Sequence, residues 1–438
     1  MQSDLINIVI IGGGAGGLEL AVGLSKKYRK SNIQVTLVDR DKTHMWKPHL
    51  HEVAAGILDS HAEQVAYLNV ASRFGFNFVW GNMQALDKEQ KCITLSPMVD
   101  ERGVEVLPAR ELGYDYLVMA VGSTSNDFGT PGVKDFAFSL DDLGSANAFH
   151  QTMLEKVLQK EFRAEHSEHF RVNIIGGGAT GVELAAALTE TTKKLSQFGL
   201  KKLKEKPVQI TVVNAADQLL PGLSDKISKG ALDILNKSGV TVLNSTKVIE
   251  IKEGTTIVER GGERYEIYSD MIVWAAGVKS PEFLKNLGLE TTRGNQIVVS
   301  GQLQSTDKHI FVIGDCASVK WINAPKEGMM VPPRAQSAHQ MSEYLIEHMR
   351  DITEGKSVPD FVYHDFGSLI SLGEVESVGT LMGFLKGRSL FVEGKIAKAM
   401  YIHLYQHHQI KINGFIAAVG LFIGKMIQKR FKPTVKVH

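Results

Sequence analysis

Cysteine is nearly missing from this chain: Cys92 and Cys316 are the only two in 438 residues, far apart and without a CxxC. A disulfide framework is excluded on that count, and a reducing compartment is expected. Long apolar runs are also missing. The thirteen uncharged residues between Lys411 and Lys425 fall well short of the ~20 that a membrane-spanning helix needs. The opening MQSDLINIVIIGGG has no basic n-region and runs from a short apolar strand straight into glycines, so no signal peptide is visible. Neither sign of charge dominates, with 49 Lys and Arg against 48 Asp and Glu. Apolar residues at 43% and charged residues at 22% exclude global disorder. At ~150 residues per domain, the length suggests two or three domains.

Glycine is what the chain has at telling places. Ile-Asn-Ile-Val-Ile-Ile at 6–11 reads as a buried strand, Gly12, Gly14 and Gly17 form GxGxxG, and Leu18-Glu19-Leu20-Ala21 opens a helix. A second strand at 34–38 ends at Asp39. In this pattern Gly12 permits a tight turn, Gly14 lets backbone approach a pyrophosphate, and Gly17 packs helix on strand. Asp39 accepts hydrogen bonds from a ribose. The pattern recurs: a strand at 172–175 leads into Gly176, Gly178 and Gly181, then Val182-Glu183-Leu184, and a strand at 209–213 ends at Asn214. A lysine-rich insertion, TTKKLSQFGLKKLKEKP, separates the helix from that strand. Two such units imply two nucleotides. Asn214 repels a 2′-phosphate less than an acid would, but no Lys or Arg follows until Lys226, which favours NADH over NADPH.

Three further strands end in small-residue turns, at 114–122, 270–277 and 310–315, the last closing on Gly314-Asp315. With the glycine loops they resemble the two-dinucleotide-binding-domain flavoproteins, in which the first unit binds FAD. The stretches His44–Ala54, Gly176–Leu184 and Val331–Gln340 narrow this further, and closely resemble bacterial type II NADH dehydrogenase over nearly the whole chain. His49 departs from the apolar residue expected there.

The resemblance implies an α/β fold of two Rossmann-like domains with a C-terminal amphipathic, membrane-anchoring region. FAD would take residues 1–125 and 286–383, the latter including the quinone region; NAD would take 126–285, and the tail 384–438. It implies FAD contacts by Gly12, Gly13, Gly14, Ala15, Gly16, Gly17, Asp39 and Arg40. Lys47, Pro48, Met83, Ala120 and Gly122 join them, as do Asp315 on the ribityl chain, Ala338 and Lys395. NAD would meet Gly176, Gly178, Gly181, Glu183, Asn214, Ala276 and Gly277. Gln336 and Gln340, one helical turn apart, can donate to a quinone carbonyl. Without the resemblance, a solvated polar stripe is an equal reading. Glu183 would lie near the nicotinamide and the quinone entrance; as a plain residue it complements the helix dipole. A homodimer is implied by resemblance alone.

Disulfide reductases of this fold carry a CxxxxC near residues 40–60, and sulfide:quinone oxidoreductases need cysteines at the flavin. Cys92 and Cys316 suit neither role, and Cys316 reads as a small buried residue. No Ser/His/Asp triad or metal cluster is visible. His403, His407 and His408 read as a solvated or membrane-surface face rather than a metal site.

From Phe384 to the end, ten Lys and Arg face the single acid Glu393, a charge of +9 that leaves the rest of the chain at −8. Phe415, Ile416, Val419, Phe422, Ile423, Met426 and Ile427 form a helical stripe with basic residues at its ends. That combination favours a helix lying in the interface of an anionic membrane over nucleic-acid binding, with a core or dimer helix as the plainer reading. The expected activity is NADH:quinone oxidoreduction through FAD without proton pumping, at the cytoplasmic face of a bacterial inner membrane. A soluble NAD(P)H:acceptor reductase and a non-catalytic redox-sensing flavoprotein stay open as alternatives.

Overall fold

An unbroken apolar strand is stable only where both faces are covered. In β1 (Ile6–Ile11) the residues Ile8, Val9, Ile10 and Ile11 are all buried. The structure is a computed structural model that describes residues 5–100, 102–162, 169–372, 377–381 and 390–431. From β1 the chain enters α1 (Ala15–Lys27), whose N-cap Gly14 is extended. β2 (Ile33–Asp39), β3 (Asn77–Trp80) and β4 (Tyr116–Met119) follow. A second unit repeats the plan with β5 (Arg171–Ile175), α2 (Ala179–Leu195), β6 (Gln209–Val213), β7 (Thr241–Leu243) and β8 (Met271–Trp274). β9 (Ile310–Val312), α3 (Ala335–Thr353) and β10 (Gly367–Ser371) come next. Last are α4 (Gly394–Asn413) and α5 (Phe415–Phe431).

The first sheet has the order β9-β4-β1-β2-β3 and the second β7-β6-β5-β8, with every neighbour parallel. In each, the glycine-bearing strand lies between the strand that follows it and one that arrives after a long excursion. Open parallel sheets bind nucleotides at the carboxyl end of such a reversal. Each unit also carries a three-stranded antiparallel meander, Met83–Asp87, Cys92–Leu95 and Arg110–Gly113 in the first, and Lys247–Lys252, Thr255–Arg260 and Glu263–Tyr268 in the second. The internal repeat therefore reaches beyond its glycine motif.

Ile8, Leu117, Ile310 and Leu345 share one core, so the segment after the second unit completes the first sheet. Val172, Ile174, Leu184 and Val212 belong to another. Each such side chain contributes roughly 1.5–3 kcal/mol by leaving water. Thr124–Ser125 pairs antiparallel with Val278–Lys279, where the chain leaves the first unit and returns to it. The α/β class with two Rossmann-like units and C-terminal helices is the one expected.

Gly414, at φ +79°, breaks the tail into α4 and α5. α4 packs along α1 and β10. α5 buries Ala418 but exposes all seven residues of the apolar stripe, Ile416 to 88%. A core helix would have hidden that face. Lys425 turns the other way: its Nζ donates to Glu63 Oε2 at 2.5 Å and to the Tyr405 hydroxyl at 3.1 Å. Among the described residues no helix is long and apolar enough to cross a membrane.

Helix and strand meet most closely at the third glycine of each motif. A Cβ on Gly17 would lie 1.8 Å from Gly12 O, and one on Gly181 2.0 Å from Gly176 O; on Gly14 and Gly178 it would meet nothing within 4 Å. Gly17→Ala is therefore expected to cost about 3 kcal/mol or more, and Gly14→Ala little, since backbone cannot yield as a side chain can. Thermal melts of the two variants check this; equal midpoints would refute it.

Candidate functional site

The first glycine turn is held from both sides. Gly12 stands at φ +101°, and a Cβ there would lie 2.4 Å from Ala120 O. Gly13 N–H donates to Asp39 Oδ2 at 2.5 Å, while its carbonyl accepts from the Tyr67 hydroxyl and faces His44 Nδ1, both at 2.8 Å. Burial raises the Asp39 carboxyl above its usual value, against the N–H groups of Asp41 and Gly13. The open space over Gly14, at the N-terminus of α1, fits a pyrophosphate: N–H groups and the helix dipole favour an anion there.

Several expected flavin contacts converge beside this turn. Lys47 Nζ donates to Ser123 O at 2.6 Å, and Ser123 Oγ donates to Asp315 Oδ2 at 2.7 Å. Gly122, at φ +70°, lies next to them with nothing within 4 Å of a Cβ position. Ala338 Cβ lies 3.3 Å from a Cβ position on Gly16 and 3.5 Å from one on Gly314. It thus joins α3 to both the first turn and the Gly-Asp turn. Met83 and Ala120 are buried. Pro48 lies in the helical turn Lys47–His49. Arg40 is more than half exposed, in an ion pair with Asp142 at 3.3 Å. Lys395 opens α4, and its side chain lies outside the described residues. Cys316 is fully buried, and burial pushes its thiol up to about 12. It fills space, as expected.

In the second unit Gly176 stands at φ +117°. The Asn214 amide faces inward: Nδ2 donates to Gln218 O and Asn244 Oδ1 at 2.9 Å and to Ala216 O at 3.2 Å. Its carbonyl oxygen is the atom left toward Gly177, 2.8 Å from a Cβ position there. Ala276 is half-buried, and Gly277, at φ +69°, lies under the Phe128 ring.

Glu183 is buried; Oε1 accepts from Ser371 N–H at 2.9 Å, and Oε2 lies 3.5 Å from His51 Nδ1. It does more than complement a dipole. Gln336 and Gln340 share a face of α3 and grip one segment. Gln336 Nε2 donates to Gly367 O at 2.9 Å and Asp365 Oδ1 at 3.3 Å, and its Oε1 accepts from Phe366 N–H at 3.2 Å. Gln340 exchanges two bonds with the His364 backbone, at 2.8 and 2.9 Å. This is no freely solvated stripe.

The tail histidines do not share one solvated face, contrary to the expectation from their spacing. His408 is buried, with Nε2 2.9 Å from His44 Nε2 and Nδ1 2.6 Å from Glu19 Oε1. Its ring lies tilted against Trp46, with centroids 4.3 Å apart. His403 and His407 are exposed. No metal-holding group occurs among the described residues. His49 packs on Tyr405 with ring centroids 4.5 Å apart, so the motif around it forms the floor on which α4 docks.

Sequence reasoning missed Glu19, whose second oxygen meets His339 Nδ1 at 2.5 Å. A signal existed: Glu19 and Glu183 each stand two places after the third glycine, on a buried part of the helix. Burial opposes ionisation of Glu19, yet hydrogen bonds from His339 and His408 prevail and hold its carboxyl down to about 2.

A family model described as pyridine nucleotide-disulphide oxidoreductase matches residues 6–342. A Haemophilus influenzae protein, Type II NADH:quinone oxidoreductase, is 39% identical over 449 residues, covering 99% of this chain and all of its own. A Staphylococcus aureus protein of the same name is 28% identical, covering 87% of this chain and 91% of its own. Among solved structures, NDH2 from Plasmodium falciparum in complex with NADH superposes with a TM-score of 0.83 at 19% identity, over 99% of this chain and all of that one.

The depressed Glu19 carboxyl contributes stability above its ordinary pKa of 4.5, lost as pH falls toward about 2. Glu19→Gln should cost about 3–5 kcal/mol at neutral pH, as when one partner of a buried pair is removed. Denaturation midpoints should converge between variant and parent as pH drops through that window. A difference independent of pH would count against the ionised carboxylate.

Proposed function

The chain belongs to the pyridine nucleotide-disulphide oxidoreductases and, within them, to the type II NADH:quinone oxidoreductases; on that premise we propose that it holds FAD in the first glycine cradle and NADH in the second. The observation that carries this is the doubled cradle, each with open space at its middle glycine and a polar side chain, Asp39 or Asn214, at the next strand's end. When bound, the flavin supplies the two-electron chemistry that accepts hydride from NADH and returns electrons to a quinone.

The protein's part is to bind, orient and exclude water. Gly12 to Gly17 would receive the FAD pyrophosphate and Asp39 its ribose, with Asp315 and Lys47 along the ribityl side and Ala338 against the ring. Gly176, Gly178 and Gly181 would cradle NADH, with Asn214 Oδ1 accepting from its ribose. Glu183, tied to β10 and His51, would border the meeting point of nicotinamide and quinone. Quinone recognition by Gln336 works by exchange: a quinone carbonyl replaces Asp365 in the longer of its two Nε2 hydrogen bonds. Gln340 Nε2 gives one hydrogen to His364 and keeps the second for substrate.

The exposed face of α5 suits a helix lying in the interface of an anionic bilayer, at the cytoplasmic face of a bacterial inner membrane. Quinone would approach from that side. Turnover without proton pumping and assembly as a homodimer belong to the same reading, the dimer resting on family resemblance alone.

Purified protein should be yellow and bleach anaerobically with NADH. Gln336→Ala should raise the apparent KM for a soluble quinone about tenfold, equivalent to one lost hydrogen bond of ~1.4 kcal/mol, and spare flavin bleaching. An unchanged KM removes Gln336 from the site. Replacing Ile416, Ile423 and Ile427 with Asp should abolish binding to anionic vesicles while soluble-quinone reduction persists; retained binding would place the anchor elsewhere.

A further inference from the structure

An exposed ring stands on the segment that leads from the first unit into the second. Phe128 is 66% exposed and sits at φ +51°. That backbone region is strained for a bulky residue, and such strain persists only where the surroundings enforce it. Here they do so on both sides. Before the ring, Asn126 N–H donates to Gly277 O at 3.2 Å, and Asn126 O accepts from Trp274 Nε1 at 2.7 Å. The Asn126 side chain accepts from Phe128 N–H at 3.0 Å. After the ring, Gly129 N–H donates to Asp127 Oδ1 at 3.2 Å, and Pro131 O accepts from Ile251 N–H at 2.9 Å. Asp127 also lies 3.6 Å from Lys134 Nζ and 3.8 Å from Lys279 Nζ. The loop is fastened to the second unit at Trp274, Gly277 and Ile251, and its large apolar side chain stays outside.

The two units differ at the place this ring occupies. Gly122 and Gly277 are equivalent: each is the third residue after its strand, β4 or β8, and they stand at φ +70° and +69°. The residue directly after each strand meets the first glycine of its motif. Ala120 O lies 2.4 Å from a Cβ position on Gly12, and Ala275 O 2.6 Å from one on Gly176. Above Gly122 nothing lies within 4 Å of a Cβ position. Above Gly277 a Cβ would lie 2.5 Å from Phe128 Cζ and 2.9 Å from its Cε2. The edge of a ring covers in the second cradle what the first leaves bare. Beside Gly122 the side chains of Lys47, Ser123 and Asp315 converge, away from the adenine end of the nucleotide proposed for that cradle. By the same correspondence, Gly277 lies under the nicotinamide half of a dinucleotide seated on Gly176, Gly178 and Gly181.

On the reading that the second cradle holds NADH, we propose that Phe128 is a binding residue for it: the ring is the apolar wall of that cradle on the nicotinamide side, and the dihydronicotinamide packs against it. The chemistry suits this occupant. Dihydronicotinamide is planar and uncharged, so offset packing on a phenyl ring buries no ionic group. The oxidised ring is a cation, which an aromatic face also attracts. Because the loop is fastened before the nucleotide arrives, binding need not order it, and more of the contact energy appears as affinity. Glycine would adopt φ +51° without strain. What glycine lacks is the ring.

The test uses the full-length, FAD-loaded protein. Anaerobic flavin bleaching is followed by stopped flow over a range of NADH concentrations, and its half-saturation reports the affinity of the second cradle. Phe128→Gly keeps the left-handed backbone and deletes the ring; it should raise that half-saturation about tenfold, or ~1.4 kcal/mol. Phe128→Tyr keeps the ring and should stay within about twofold of the parent. Dialysis against NAD+ should give the same ranking without turnover. ADP, which carries the adenine half alone, should compete equally well in Phe128→Gly and parent. The two should also melt at similar temperatures, since the strain released offsets the freedom that glycine adds to the unfolded chain. An unchanged NADH half-saturation in Phe128→Gly overturns the proposal, and a lowered melting temperature beside it marks the ring as structural. ADP competition weakened in step with NADH moves the ring to the adenine half and overturns the assignment. A parent whose flavin ignores NADH and that retains no NAD+ fails the reading of the second cradle itself, and the role of Phe128 falls with it.

Discussion

Two backbones can approach as closely as those of Gly12 and Gly17 only where the third glycine of the motif has no side chain to place between them. That approach sets the N-terminus of α1 directly over the end of β1. It leaves room above Gly14 and brings the end of β2, with Asp39, alongside. The second unit repeats the constraint at Gly176 and Gly181, with Asn214 in the corresponding place. Ala338 reaches the first of these contacts, and the inward Asn214 amide shapes the loop beside the second.

A buried carboxylate costs several kcal/mol unless it is paired. Both units place one two residues beyond the third glycine, and they satisfy it differently. Glu19 takes histidines from α3 and α4, whereas Glu183 takes a backbone N–H from β10 and the neighbourhood of His51. Each acid thereby ties the helix after a glycine turn to segments from the last third of the chain. The cradles are copies; their supports are not.

What could be read from the sequence follows the range of the interaction. Strands, glycine turns and Asp39 are legible because spacing within some thirty residues determines them, and the apolar face of α5 because its period is that of a helix. Asp315, Lys47 and Ala338 were reachable only through resemblance, since their meeting depends on the packing of separated strands. The His408–Glu19 contact joins residues 389 apart in sequence, and a histidine at helical spacing looks the same whether it faces water or an acid. The glutamine pair was legible as a shared face, but its grip on residues 364–367 was not, because nothing local marks that irregular segment as its neighbour.

The two tail helices divide their work by polarity. α4 is held by polar side chains: His408 on Glu19, Tyr405 on Glu63, Lys411 on Glu343. α5 is fastened at Ala418 and Lys425, and otherwise turns its large apolar residues outward. Polar bonds are directional where apolar contacts are not, so the clasp of Lys425 with Glu63 and Tyr405 fixes which way α5 is rotated. A helix attached by apolar contact alone would be free to roll its stripe back onto the protein. Directional bonds on one side therefore keep the apolar face available on the other, and any surface that receives this face meets the first α/β unit in a single orientation.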